Sequence, residues 1–137
     1  MKNRKAFFNY EILEKFTAGI QLKGTEVKSI RAGKLDFSDS YCTVKETTVL
    51  WRNGYIDEYK EGIEDHGVKR DRKLLLNKKE IEQISKYLET KGLSLIPLEI
   101  TYINNKYKLV IGVGKGKKNY DKRETIKKRD LDRANNE

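Results

Sequence analysis

Cysteine and long apolar runs are the features that this sequence has least of. Cys42 is the only cysteine among 137 residues, so no internal disulfide can form. A chain without disulfides is typical of a reducing compartment, and we expect a cytoplasmic protein. No apolar run approaches the ~20 residues that span a bilayer. The start, "MKNRKAFFNY", lacks the apolar segment of a signal peptide. We therefore expect no membrane partner.

Histidine is equally scarce, which limits the chemistry that the chain can perform. His66 is the only histidine, and it lies beside Asp65. Catalytic pairs are formed in space, so this neighbour in sequence is no evidence for a dyad. One histidine and one cysteine, 24 positions apart (66 − 42), do not supply a metal site. We expect no catalytic residue, no metal and no cofactor. An RNA-processing enzyme that uses His66 and nearby carboxylates is the alternative of a different class.

What the chain has in excess is positive charge. Lys and Arg number 30 and Asp and Glu 21, a net charge of +9. Such an excess favours a polyanion, and nucleic acid first among polyanions. The basic residues form three clusters: Lys2, Arg4 and Lys5; Lys69, Arg70, Arg72, Lys73, Lys78 and Lys79; and residues 115–137, which carry nine basic and five acidic residues. Most aromatic residues alternate with polar ones and are expected in the core, with Phe7, Phe8 and Tyr120 as exceptions.

The pattern of apolar residues predicts more strands than helices. We expect a long strand from Tyr10 to Leu22 with a bend or bulge at Gly19, and a short helix within "GTEVKSIRAGK" (24–34) with Thr25 as its N-cap. A hairpin over 40–53, an exposed loop over 60–72 and a helix capped by Asn77 follow. The last two strands flank "NNK", and Pro97 implies an edge position or a break.

These elements predict a mainly β fold, an antiparallel barrel of the oligonucleotide-binding type with flanking short helices. Residues 1–114 are expected to form one nucleic-acid-binding barrel domain, in which 1–9 are a basic arm. Residues 115–137 are expected to be a flexible basic C-terminal tail, disordered when free, because they offer little apolar surface to bury. We expect a monomer.

The glycine-rich "GVGKGKK" over 112–118 does not have the spacing of a phosphate-binding loop. It matches neither the dinucleotide fingerprint nor the P-loop, which needs four residues between its glycines and then Lys with Ser or Thr. We interpret the glycines as the end of a strand that passes close to other backbone.

Five segments in order resemble one family. They are "NRKA" (3–6), "AGIQLKGTEVKSIRAGK" (18–34), "DSY" (39–41), "RKLLLNKKEI" (72–81) and "GKGKKNYDKRETIKKRD" (114–130). Together they closely resemble the SsrA-binding protein family, SmpB, over essentially the whole chain. The resemblance implies an RNA-binding adaptor that performs no chemistry. Its partner would be transfer-messenger RNA (tmRNA), whose tRNA-like domain the barrel holds. The complex enters ribosomes stalled on messages without a stop codon, for trans-translation.

The resemblance also implies which residues contact RNA. Those facing the tRNA-like domain are Asn3, Arg4, Lys5, Thr17, Lys73 and Leu75. Thr17 stands where some relatives carry an acidic residue, and "HGV" (66–68) stands where relatives often have "HDP". If residues 72–76 form a strand, alternation places Leu75 on the opposite face from its neighbours, where it could pack on unstacked bases or ribose.

The tail is implied to act on the ribosome rather than on tmRNA. In the family this segment occupies the decoding centre and the empty mRNA path, against small-subunit rRNA. The residues implied are Lys115, Gly116, Lys117, Lys118, Tyr120, Asp121, Lys122, Arg123, Lys127, Lys128 and Arg129. Tyr120 is the expected base-stacking residue. The alternative within the binding class is a general single-strand nucleic-acid-binding barrel protein.

Overall fold

A computed structural model describes residues 1–57 and 67–117 of the protein, with eight strands and three helices in that part. The elements are α1 (Arg4–Asn9), β1 (Tyr10–Ile20), α2 (Gly24–Arg31), β2 (Leu35–Asp36), β3 (Tyr41–Lys45), β4 (Thr48–Arg52), β5 (Tyr55–Ile56), β6 (Arg72–Leu75), α3 (Lys78–Leu88), β7 (Leu93–Ile103) and β8 (Lys106–Gly116). The mainly β, antiparallel fold class is confirmed, although the sequence predicts only about six strands and two helices.

The strands form a six-stranded antiparallel sheet in the order β3-β4-β6-β1-β8-β7, and β2 pairs with β5 in a small second sheet. The sheet curves until its two edge strands, β3 and β7, have Cα atoms within 8 Å of each other. No hydrogen-bonded pairing joins these edges in the described residues. The barrel is therefore open along one seam, which remains compatible with the oligonucleotide-binding type of architecture.

The N-terminal segment explains why the seam stays open. The N–H of Asn3 donates to the carbonyl of Leu98 at 2.7 Å, and the N–H of Ile100 donates to the carbonyl of Met1 at 2.9 Å. The segment thus covers the edge of β7 that would otherwise be free to pair. The segment predicted as a basic arm over 1–9 is attached to the fold, because residues 1–3 pair with β7 and Arg4–Asn9 form α1.

The hairpin formed by β7 and β8 follows from the residues of its turn. Asn104 and Asn105 both have positive φ, 51° and 63°, as a type I′ turn requires. Pro97 lies on the edge strand β7 beside a register shift, so both expectations for it are confirmed. The bulge in β1 lies between Ile12 and Glu14 rather than at the predicted Gly19.

The helix predictions were right for α3 and partly wrong for α2. Asn77 accepts from the N–H of Glu80 at 2.9 Å, and Glu80 accepts from the N–H of Asn77, which is the predicted capping box. Helix α2 begins at Gly24 after Lys23, so Thr25 is not its N-cap. Instead the carboxylate of Glu26 accepts from the N–H of Lys23 at 2.9 Å.

Two cores lie on opposite faces of the sheet. The main core fills the concave side and includes the fully buried Trp51, Ile84, Leu109 and Ile111. A smaller core lies under α1, where Ala6 packs with Ile96 and Leu98 from β7, next to partly buried residues that include Phe7 and Ile12. Phe7 is therefore part of the packing and not the freely exposed aromatic that the sequence predicts.

The glycines of β8 make room for this smaller core. The strand ends at Gly116, as predicted for this glycine-rich segment, but Gly112 and Gly114 lie inside it. A Cβ atom at Gly112 would lie 2.6 Å from Cδ1 of Leu98 and 3.1 Å from Cγ2 of Ile12. The close neighbours are thus side chains from the two adjacent strands, not backbone.

We expect Gly112→Ala to lower the free energy of unfolding by about 1–3 kcal/mol, because the added methyl overpacks a site against the fully buried Leu98. Gly116→Ala is the matched control, since no atom lies within 4 Å of a Cβ there. Urea unfolding of both variants measures the difference. Equal stability of the two variants would show that the smaller core accommodates the added methyl group without destabilising the fold.

Candidate nucleic-acid interface

Strand β6 presents two of the predicted RNA-contact residues on the outer face of the sheet. Arg72 and Leu74 are buried, whereas Lys73 and Leu75 are exposed, so the predicted alternation is confirmed. Leu75 leaves 49% of its surface accessible, unusual for a leucine in a strand. An exposed cation and an exposed aliphatic side chain therefore project from one short strand to the same side.

Strand β1 extends this surface. Gly19 is the register partner of Leu75, and the exposed Thr17 lies on the same face two positions earlier. On the other side of β6, Lys73 is opposite Leu50 of β4. We call the set Thr17, Lys73 and Leu75 the β1–β6 face. The structure thus brings together three of the six residues predicted to contact tmRNA.

The other three lie on or beside α1. Arg4 and Lys5 are exposed in its first turn. Asn3 is buried, because its amide donates to the carbonyl of Pro97 at 2.8 Å and its side-chain oxygen accepts from the N–H of Ala6. The Asn3 side chain therefore holds the start of α1 against β7 and so positions the two cations that follow.

The two groups lie at a similar level of the sheet but on different strands. Lys2 is bridged to Glu99 of β7, Glu99 pairs with Val110 of β8, and Val110 pairs with Thr17 of β1. With neighbouring strands ~4.8 Å apart, the start of α1 and the β1–β6 face are separated by roughly 15–20 Å across the sheet. Lys15 lies between them on the outer face, with its Nζ 5.5 Å from the centre of the Phe7 ring. Only a large ligand could contact both groups at once.

Two arginines counted with the basic clusters have an internal role instead. Glu26 and Arg72 are fully buried, and Nε of Arg72 donates to Glu26 at 2.5 Å. Arg70 also pairs with Glu26, through its Nε and Nη2. Nη1 of Arg72 donates to the carbonyl of Gly54 at 2.6 Å, and its guanidinium lies 5.3 Å from the Trp51 ring. The predicted exposed loop over 60–72 therefore ends in a buried anchor.

The charge state of Glu26 follows from these contacts. Burial alone would raise its pKa, but hydrogen bonds from Arg70, the Lys23 backbone and Arg72 more than offset this and lower it. Burial lowers the pKa of Arg72, while its bond to Glu26 acts in the opposite direction. Because the guanidinium stays charged, we treat the cluster as a buried ion network. The sequence does not indicate this network, since Glu26 is 44 and 46 positions away from its two arginines.

The start of the predicted tail is anchored in the fold. Lys115 pairs with Glu11 and Leu93, so Lys115 and Gly116 belong to β8. The N–H of Lys117 donates to the carbonyl of Asn9 at 2.8 Å, and its Nζ donates to the carbonyl of Phe7 at 3.2 Å. The remaining predicted tail residues lie outside the described part: Lys118, Tyr120, Asp121, Lys122, Arg123, Lys127, Lys128 and Arg129.

Residues 1–57 and 67–117 hold no cluster of three or more His, Cys, Asp or Glu side chains that could bind a metal ion. Cys42 is buried, which raises the pKa of its thiol and disfavours a reactive thiolate. His66 lies outside the described residues. In the same part of the chain, no helix is long and apolar enough to cross a membrane.

Comparison with known proteins identifies relatives along nearly the whole chain. The SsrA-binding protein of Magnetococcus marinus is 53% identical over 133 residues, 96% of this chain and 89% of that protein. The SsrA-binding protein of Flavobacterium johnsoniae is 49% identical over 138 residues, 96% of this chain and 91% of that protein. That of Treponema denticola is 46% identical over 133 residues, 96% and 86%.

The fold is also similar to a solved chain from a structure described as "tmRNA-SmpB: a journey to the center of the bacterial ribosome". The two share 43% identity with a TM-score of 0.74, covering 87% of this chain and 85% of that one. A model of the SmpB protein family matches residues 1–137. Because that match spans the full sequence and the relatives agree with it, the chain belongs to the SmpB protein family.

Proposed function

We propose that this protein is an RNA-binding adaptor that binds the tRNA-like domain of tmRNA and delivers it to stalled ribosomes for trans-translation. The observation that carries the proposal is the family match over the whole chain, together with the 43% identical solved SmpB chain. In this proposal the protein acts by binding alone, as a cytoplasmic monomer, and no residue performs a chemical step.

The geometry supports a large folded RNA as the ligand. The β1–β6 face and the start of α1 lie on opposite sides of β8 and β7, roughly 15–20 Å apart across the sheet, which a tRNA-like fold could span but a mononucleotide could not. Arg4, Lys5 and Lys73 would contact phosphates and supply most of the affinity. Leu75 would pack on an unstacked base or ribose, and the Thr17 hydroxyl would hydrogen-bond beside it. Asn3 would act indirectly, through the position of α1.

For the tail we propose a separate partner, the small-subunit rRNA at the decoding centre and in the mRNA path. Its composition supports this: seven basic residues follow Lys117, with Tyr120 as the only aromatic among them. Lysines and arginines would neutralise rRNA phosphates, and Tyr120 would stack on a base. The residues proposed for this element begin with Lys118, because Lys115 and Gly116 belong to β8 and Lys117 is hydrogen-bonded to α1.

We expect Lys73→Glu to weaken tmRNA binding about tenfold at moderate salt and to reduce the salt dependence of binding, because a phosphate contact becomes a repulsion. Lys91→Glu, at an exposed lysine beyond α3, makes the same charge change and should alter binding less than twofold. Filter binding over a series of salt concentrations measures both. Equal effects of the two variants would mean that net charge, and not the β1–β6 face, determines affinity.

If the protein were instead a general single-strand binder, a competition experiment with wild type would give a different result. Unstructured RNA of equal length should then compete with tmRNA at equal concentration. The adaptor function requires that a tRNA-like fold compete far better at fixed salt. Abolition of a measured RNA cleavage activity by His66→Ala would instead support an enzyme.

A further inference from the structure

A groove of about 410 Å³ lies where β1 ends, between α2 and the hairpin of β7 and β8. Val27 and Arg31 of α2 form one wall, and Tyr102, Lys106 and Lys108 of the hairpin form the other. Leu75 of β6 also lines it. The groove therefore begins at the β1–β6 face and continues towards the hairpin tip.

The described residues that line the groove carry positive charge only. Among them are Arg31, Lys106 and Lys108, and none of the lining residues in this part of the chain is acidic. Within the described residues, the side chains of Arg31, Lys106 and Lys108 form no ion pair, in contrast to Arg70 and Arg72, which are bound to Glu26. Three unpaired cations around a concave surface attract a polyanion rather than a neutral ligand.

An aromatic ring provides the apolar part of the groove. Tyr102 and Tyr107 are register partners, with ring centres 4.9 Å apart and planes at 53°. Tyr107 packs against the main core and so supports Tyr102, which still leaves 56% of its surface accessible. A supported, exposed ring next to cations has the composition of a base-stacking site.

We infer that this groove receives an unstacked nucleotide of the RNA, with its base on Tyr102 and its flanking phosphates near Arg31, Lys106 and Lys108. The inference rests on the proposed function, because it takes tmRNA as the RNA. The choice of RNA over a protein partner follows from the uncompensated positive charge and from continuity with Leu75, one of the residues proposed to contact tmRNA. It adds to that contact set a stacking residue that the sequence pattern assigns to the core.

The test measures tmRNA affinity of the full chain carrying Tyr102→Ala or Tyr102→Phe. We expect Tyr102→Ala to weaken binding about tenfold, within the range for loss of one base–aromatic stack, and Tyr102→Phe to stay within twofold because the ring remains. Tyr41→Ala is the matched control, an exposed tyrosine on β3 at the other edge of the sheet. Chemical probing of the bound tmRNA should show one base that is protected by wild type and reactive with Tyr102→Ala. Thermal unfolding establishes that the variants are folded.

The outcomes separate the two proposals. If wild type binds tmRNA and Lys73→Glu weakens it, but Tyr102→Ala behaves as Tyr41→Ala does, this inference fails and the proposed function stands. If wild type does not prefer tmRNA over unstructured RNA, the proposed function itself fails. If Tyr102→Ala bound tmRNA as tightly as wild type but tagged fewer stalled products, the groove would contact a component of the ribosome and not tmRNA. That result would overturn the inference. An equal loss in Tyr102→Phe would show that the ring does not act by stacking.

Discussion

A chain truncated after Lys117 is expected to bind tmRNA within several-fold of wild type and to lose tagging of stalled products altogether. The reason is that every core residue in the described part precedes the cut, so the truncated chain keeps all of them. Residues 118–137 carry seven basic and five acidic residues, a net charge of +2 (7 − 5), only a small share of the total +9. Their removal should therefore reduce electrostatic attraction to tmRNA only slightly.

The position of the cut matters for this experiment. The sequence alone divides the chain at Gly114, but a cut there would remove the pairing of Lys115 with Glu11 and the bonds of Lys117 to α1. Such a truncation would confuse loss of function with loss of stability. A tail of the same composition in scrambled order is the matched control. If it restored tagging, charge alone would suffice, and loss of tmRNA affinity on truncation would contradict the proposed division of roles.

The sequence predicted the parts of this fold that depend on local chemistry. The capping box at Asn77, the turn at Asn104 and Asn105, and the edge position of Pro97 each follow from a residue's own conformational limits. The alternation that exposes Leu75 also follows from strand geometry. The same local chemistry predicted the antiparallel β class, whereas Lys73 was implied as an RNA contact by the family resemblance.

What the sequence did not predict depends on which elements meet in space. Gly112 looked like a strand end because nothing in the sequence shows that Leu98 crosses over it. Tyr102 was expected in the core because it continues the alternation of β7, but the last two residues of that strand, Tyr102 and Ile103, are exposed. Similarly, Arg72 was counted as a surface cation, since its partner Glu26 is 46 positions away.

We expect Arg72→Ala to lower the free energy of unfolding by about 3–5 kcal/mol, because it leaves the carboxylate of Glu26 buried with one partner fewer and frees the carbonyl of Gly54. This is a large share of the ~5–15 kcal/mol that holds a typical domain folded. Arg52→Ala is the matched control, since its pair with Asp71 at 3.4 Å is exposed and should contribute ~0–1 kcal/mol. Urea unfolding at pH 7 compares the two.

Glu26, the partner of Arg72, allows an independent test of the buried ion network through the pH dependence of stability. The folded-state pKa of Glu26 is below its ordinary value of 4.5, so its contribution to stability is complete above pH 4.5. It is then lost as the pH falls through the lower folded value, where the carboxyl takes up a proton. Glu26→Gln should therefore lose less stability than wild type on acidification. If acid affected both proteins equally, the network would not be the acid-sensitive element.

The same experiments separate a structural arginine from an RNA-binding one on adjacent residues. Arg72 and Lys73 point to opposite faces of β6, so their substitutions should affect different observables. Arg72→Ala should lower stability while leaving the salt dependence of tmRNA binding unchanged, measured where the variant is still folded. Lys73→Glu should leave stability nearly unchanged and reduce the salt dependence of tmRNA binding. A loss of salt dependence in Arg72→Ala would mean that its guanidinium reaches RNA, and would return this residue to the basic cluster in which the sequence placed it.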